Sequence, residues 1–180
     1  FSKSTVYAFE PYPKNIYYLT KNTSGLNVNI INKGLSDKPK KMKFGLPSRN
    51  AGSKNTGRIT TNFDVWDGVI DVVAVDVMSG DRFIAERHLS NVIFIKIDVE
   101  GMEALVIEGL QSEILKNKPV ICVELNGTYV NADGKILKVL QNLCLNGYSS
   151  FIERRGSLEK HNLAKIEISE NLDVFLLPVS

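Results

Sequence analysis

The chain has 180 residues, 43% of them hydrophobic and 23% charged, with a formal net charge of +2. Those proportions are ordinary for a globular domain and exclude a disordered chain, a collagen-like repeat and a disulfide scaffold. No apolar run approaches the roughly 20 residues that span a bilayer, and the net charge is too small to imply a nucleic-acid partner. At about 150 residues per domain, one domain over residues 1–180 is expected. Phe1-Ser2-Lys3-Ser4-Thr5 leads into a strand without a signal-peptide pattern, so a cytoplasmic setting is expected.

Val6-Tyr7-Ala8-Phe9 reads as a short apolar strand ending in Glu10-Pro11. Pro13 suits the first turn of a helix, Ile16 and Leu19 give that helix an apolar face, and Gly25 can stop it. Val28 to Leu35 reads as a second strand closed by Ser36-Asp37. Residues 45–58 are rich in Gly, Ser and Asn and read as a loop. Positive charge gathers in Lys38, Lys40, Lys41, Lys43, Arg49, Lys54 and Arg58, with no acid between them. Such a run is read as a solvated loop, with an anion-binding patch as the rival. Trp66 is expected to pack at the edge of the core. Ile70 to Val77 alternates and is β-branched, which predicts a strand, with an antiparallel excursion as one placement.

Val92 to Ile97 is nearly continuous apolar sequence, which suits a parallel strand buried on both faces. Asp98-Val99-Glu100-Gly101 follows it. A helix from about Met102 to Lys116 is predicted by Met102, Leu105, Val106, Leu110 and Ile114 at helical spacing. Val120 to Leu125 reads as another buried strand, ending in Asn126-Gly127. Asp133 can cap a helix carrying Ile136, Leu140 and Leu143, with Gly147 at its end. Tyr148 to Ile152 and Leu172 to Leu177 are two last strands, with a charged loop between them. Cys122 and Cys144 read as small buried hydrophobes.

This alternation predicts an α/β fold with a mostly parallel sheet and helices on both faces. Ligands of such sheets bind at the carboxyl ends of the strands, which here are Glu10, Asp98-Val99-Glu100 and Glu124-Leu125-Asn126. A carboxylate such as Glu10 can accept two ribose hydroxyls, or it can serve only as an acid beside a helix start. Asp98, Glu100 and Glu103 can supply a general base, bind a hard cation, or form a structural cap. Lys96 is the expected counter-ion of Asp98. No zinc-ligand spacing, serine-nucleophile elbow or phosphate loop is present.

Val6-Tyr7-Ala8-Phe9-Glu10-Pro11-Tyr12-Pro13 resembles the AFEPxP motif of FkbM-type methyltransferases. Phe94-Ile95-Lys96-Ile97-Asp98-Val99-Glu100-Gly101-Met102-Glu103 resembles their more specific IKIDVEGxE motif, and Pro119 to Leu125 resembles the strand that follows. The resemblance covers residues 6 to about 126. It implies a Rossmann-like class I methyltransferase fold with S-adenosylmethionine as donor. It further implies O-methylation of a sugar, glycan or secondary metabolite. Glu10 would hold the ribose, Ser36 and Asp37 would lie beside the adenine, and Asp98 would face donor and acceptor. Asp98 is then the expected base with Glu100 second, while Glu103, Glu124 and Asn126 line the acceptor side. No metal ligand is expected.

Family members normally carry a strand, a Gly-rich loop and a helix ahead of the AFEP strand, and here five residues precede Val6. The expectation is therefore an N-terminally truncated domain that binds the donor poorly on its own. Its exposed sheet edge would favour pairing with a second copy. The rival function is a non-catalytic Rossmann-like binding or interaction module without the donor loop.

Overall fold

A computed structural model describes residues 3–47, 58–59, 69–127, 130, 134–166, 168 and 171–179. It divides into two compact units, residues 1–79 and 80–180.

In the first unit, β1 (Val6–Phe9) pairs in parallel with β2 (Val28–Ile31), with Val6 opposite Val28. The crossover is α1 (Pro13–Asn22), which has Pro13 in its first turn, where a missing N–H costs nothing. Thr23 ends it, its hydroxyl donating to the Leu19 carbonyl at 2.8 Å, and Gly25 follows at φ +81°. The apolar face expected on α1 is not a buried one: Ile16 and Leu19 are half-buried, and Tyr17 and Tyr18 are exposed.

The single strand expected over residues 28–35 is two strands. The chain turns at Asn32-Lys33, where the Asn32 amide donates to the carbonyls of Glu10 and Pro11. β3 (Gly34–Leu35) then joins a different sheet. That sheet runs β3, β6 (Val69–Met78), β4 (Lys40–Pro47), β5 (Arg58–Ile59). β3 and β6 are parallel, whereas β4 is antiparallel to both β6 and β5. Lys40, Lys41 and Lys43 therefore stand on a strand and not in a loop. Met42 and Phe44 alternate with them and are buried with Val75 and Val77. Tyr12 stacks on Phe44, ring centres 5.2 Å apart. Arg49, Lys54, Trp66 and Asp133 lie outside the described residues.

The second unit holds α2 (Gly80–Glu86), β7 (Phe94–Ile97), α3 (Glu103–Glu108), α4 (Gln111–Asn117) and β8 (Val120–Asn126). These are followed by α5 (Lys135–Leu145), β9 (Tyr148–Arg154), β10 (Ser157–Lys160) and β11 (Asn171–Pro178). The helix expected from Met102 to Lys116 breaks at Gly109-Leu110 into α3 and α4. Asp81 caps the second piece, accepting the amides of Ser112 and Glu113 at 2.9 Å each. Gly134 at φ +60° occupies the N-cap of α5, and Gly147 at φ +87° follows its end. The stretch between the last two expected strands contains β10, turned back on β9.

The strand order is β10-β9-β11-β8-β7. Only β7 and β8 are parallel, because β11 inserts antiparallel between β8 and β9. The fold is α/β with mixed sheets, not the mostly parallel sheet expected. Ile121, Val123, Leu125, Val174, Leu176 and Ile152 form one buried face of this sheet, and Val106, Ile114, Leu140 and Leu143 supply the helical side of the core. Each fully buried Ile or Leu contributes about 1.5–3 kcal/mol. β7 departs from the doubly buried strand expected: Phe94 is 39% exposed, and among the described residues β7 is bonded to β8 alone. No helix among the described residues is long and apolar enough to cross a membrane.

Candidate functional site

Two groups of acids stand at strand ends, one in each unit. In the first unit Glu10 follows β1. Its Oε1 accepts the Tyr12 amide at 2.7 Å and its Oε2 accepts the Asn15 side-chain amide at 3.2 Å. The carboxylate thus braces the start of α1. Each oxygen has a second lone-pair direction, so the group can still accept a vicinal diol.

Ser36 and Asp37 follow β3, not the strand paired with β1. Ser36 is fully buried; its amide donates to the Met78 carbonyl and its hydroxyl to Asp37 Oδ1 at 2.9 Å. Lys40 Nζ lies 2.7 Å from the same oxygen. That hydrogen bond, helped by Ser36, lowers the Asp37 pKa to about 2 against the cost of burial. Ser36 is committed to the chain, and only Asp37 presents a charge to solvent.

In the second unit β7 ends at Asp98 and the chain bends through Glu100 at φ +52° and Gly101 at φ +92°. Gly101 is the residue type that such a φ requires. Glu103 reaches back from the first turn of α3 and accepts the Gly101 amide at 2.8 Å. It is only 5% exposed. Burial raises its pKa, its bonds to the Gly101 amide and its own amide act against that, and the charges of Glu100 and Asp98 add to the rise. Its carboxylate is turned into the loop.

Asp98 is exposed and follows β7 level with Glu124, the third-last residue of β8. The pKa of Glu124 is raised by burial and then by the bond and charge of Asp98, against Lys96 and Asn171. Lys96 is not the counter-ion of Asp98 alone. Its Nζ lies 2.9 Å from Asp173 Oδ1 and 3.8 Å from Glu124 Oε2. Burial opposes its charge, yet Asp173 and the neighbouring charges prevail and raise its pKa. Asn126 donates to Asn171 Oδ1 at 2.8 Å, and Asn171 donates to Glu124 Oε1 at 2.7 Å.

Of the residues singled out from sequence, Asp98, Glu100, Glu103, Glu124 and Asn126 thus lie in one unit, with Glu124 and Asn126 joined through Asn171 and Asp98 level with Glu124. Glu10, Ser36 and Asp37 lie in the other unit, where Glu10 has its own bonding set. Sequence reasoning missed Asn171, Asp173 and the position of Cys122 beneath them. The signal was faint: polar residues at 171 and 173 alternate with Leu172 and Val174. Cys122 Sγ lies 3.7 Å from Asp173, and burial followed by that charge pushes its thiol up to about 11. Among the described residues no group of three or more His, Cys, Asp or Glu is arranged to hold a metal ion.

The family model for the methyltransferase FkbM domain matches residues 1–150. No curated protein matches the chain. The crystal structure of methyltransferase FkbM from Methylobacillus flagellatus KT is similar, with a TM-score of 0.54 at 16% identity. The match covers 96% of this chain and 36% of that one, so the chain spans about a third of its solved relative.

Proposed function

Since the chain belongs to the FkbM methyltransferase family, we propose that it transfers a methyl group from S-adenosylmethionine to a hydroxyl of a sugar, glycan or secondary metabolite. The observation that carries this reading is that Asp98 follows β7 level with Glu124 on the parallel strand β8, at the carboxyl ends where ligands of α/β sheets bind. The donor, when bound, supplies a sulfonium methyl that is already activated for transfer.

What the protein must add is alignment and a proton acceptor. Alignment of two bound reactants contributes roughly 7–11 kcal/mol. Asp98 accepts the proton of the attacking hydroxyl, a role that contributes about 10²–10⁴ in rate. Glu124, whose pKa is raised by burial and by the neighbouring Asp98, is the adjacent acid, and Glu100 is the second candidate base. Asn126 lines the acceptor side. Glu103 has its carboxylate in the loop, so we give it a positioning role in place of acceptor contact. Glu10 would hold the ribose hydroxyls of a bound donor through its remaining lone pairs. Asp37 would lie beside the adenine of a bound donor, with Ser36 acting through Asp37. Cys122 and Cys144 are free thiols, which suits a reducing cytoplasmic setting.

The test is calorimetry with S-adenosylmethionine on the full-length protein, followed by transfer of labelled methyl to a panel of hydroxylated sugars and metabolites. Donor binding and base-stable methyl ether formation are expected. Absence of donor binding would instead support a non-catalytic module.

A further inference from the structure

We propose that Asn171 and Asp173 of β11 are positioning residues for the Asp98 site: Asn171 orients Glu124 against Asp98, and Asp173 anchors the Lys96 ammonium beside that pair. The proposal rests on the reading of Asp98 as the base. Both residues lie beyond residue 150, where the family match ends.

The strand register places them. Asp173 stands opposite Glu124 and Asn171 opposite Asn126, while Ile97 stands opposite Val123, which brings Asp98 level with Glu124. Side chains two residues apart on a strand share a face, so Lys96, Cys122, Glu124, Asn126, Asn171 and Asp173 share one. The Asn171 side chain is held at both ends: its Oδ1 accepts from Asn126 at 2.8 Å and its Nδ2 donates to Glu124 Oε1 at 2.7 Å. That leaves its amide no freedom to flip, and it fixes which way the Glu124 carboxyl faces. Lys96 is 2.9 Å from Asp173 but 3.8 Å from Glu124. Asp173 therefore takes most of the ammonium's charge, and without it Lys96 would act on Glu124 and Asp98 uncompensated.

The charged and titratable groups around Glu124 are Asp98 and Lys96 from the β7 side, Cys122 on its own strand, and Asp173 on β11, with Glu100 and Glu103 in the loop after Asp98. Their signs give opposite expectations for the two positions. The bond from Asn171 favours ionised Glu124, so Asn171→Ala raises the pH at which Glu124 titrates. Loss of the Asp173 charge frees Lys96, so Asp173→Asn lowers it. Each shift is about half to one pH unit, the scale of one charge or hydrogen bond at a half-exposed site.

The experiment is a ¹³C-carboxyl NMR titration of the full-length protein labelled at glutamate, with Glu124→Gln to identify the signal. Upward displacement in Asn171→Ala and downward displacement in Asp173→Asn are expected, with amide spectra otherwise unchanged. Unmoved titrations, or displacement of both in one direction, overturn the proposal. The pH profile of methyl transfer in the same variants tests the base assignment separately. If Glu124 moves as expected and that profile does not follow, the positioning geometry stands and the role of Asp98 falls.

Discussion

Glu103 offers the sharpest test of how the Asp98 loop is held. The loop passes through two left-handed residues, Glu100 and Gly101, and the buried Glu103 carboxylate accepts the Gly101 amide at 2.8 Å. Glu103→Ala leaves that donor without its partner. An unsatisfied buried donor costs about 1–3 kcal/mol. Gly101 is exposed enough for water to replace part of the loss, and removing a buried carboxylate gives some energy back. The net expectation is a loss of about 1–2 kcal/mol, equivalent to roughly 1 M in urea midpoint for a domain of this size. Glu103→Gln retains an acceptor oxygen, so its midpoint at pH 7 should stay within about 0.5 kcal/mol of wild type. The pH dependence has a definite sign. Because the folded-state pKa of Glu103 is raised, the native state binds its proton more readily than the unfolded state. Stability relative to the Gln variant is therefore greatest in acid and declines as pH rises from the ordinary value of 4.5 through the raised one. Urea unfolding followed by circular dichroism at pH 4 and pH 7 measures both effects. A Gln variant as damaged as the Ala variant would sink the hydrogen-bond argument and leave charge as the cause.

Three further outcomes are expected. Asp37, held at about 2 by Lys40 and Ser36, contributes stability that is present above the ordinary value of 3.8 and lost as pH falls through about 2. Asp37→Asn should therefore cost at most about 1 kcal/mol at pH 7, given solvent screening, and nothing near pH 2, as compared by urea midpoints at the two values. Gly80→Ala drives its new Cβ into the buried Leu110 side chain, an overpacking that costs about 1–3 kcal/mol; an unchanged Tm would show that Leu110 moves freely. In the full-length protein Asp98→Asn should reduce methyl transfer about 10²–10⁴-fold with donor affinity unchanged by calorimetry, and undiminished turnover would remove Asp98 from the base role.

The strands that end in acids were legible because each is a short apolar run stopped by a charge: β1 before Glu10, β7 before Asp98, and β8 carrying Glu124. β4 was not, although Lys41-Met42-Lys43-Phe44 alternates with a period of two. The lysine density resembles a solvated loop, and only pairing with β6 shows that Met42 and Phe44 face a core. The break between α3 and α4 was hidden because Leu105, Leu110 and Ile114 fit one long helical face as well as two short ones. The exposure of Phe94 could not be read from composition, since an apolar strand carries no mark of whether both its edges are bonded. The partners of Glu124 were least legible. Asn171 and Asp173 are 47 and 49 positions away in sequence, and an antiparallel register over that separation is a property of the assembled sheet.

The acids that read alike in sequence do unlike work in the structure, and their hydrogen bonds separate them. A carboxylate that accepts nearby backbone amides is committed to local structure. By that criterion Glu103 is structural and Glu10 is partly so, since it braces α1 while retaining lone pairs for a diol. Asp37 is neutralised by Lys40 and is a weak proton acceptor near neutral pH, because its pKa lies near 2. Asp98 differs from all three: it stands exposed at a strand end, level with Glu124 on the neighbouring strand. That exposed position at the strand end, more than the abundance of acids in the Asp98-Val99-Glu100-Gly101-Met102-Glu103 segment, is what recommends Asp98 for taking a proton from a hydroxyl.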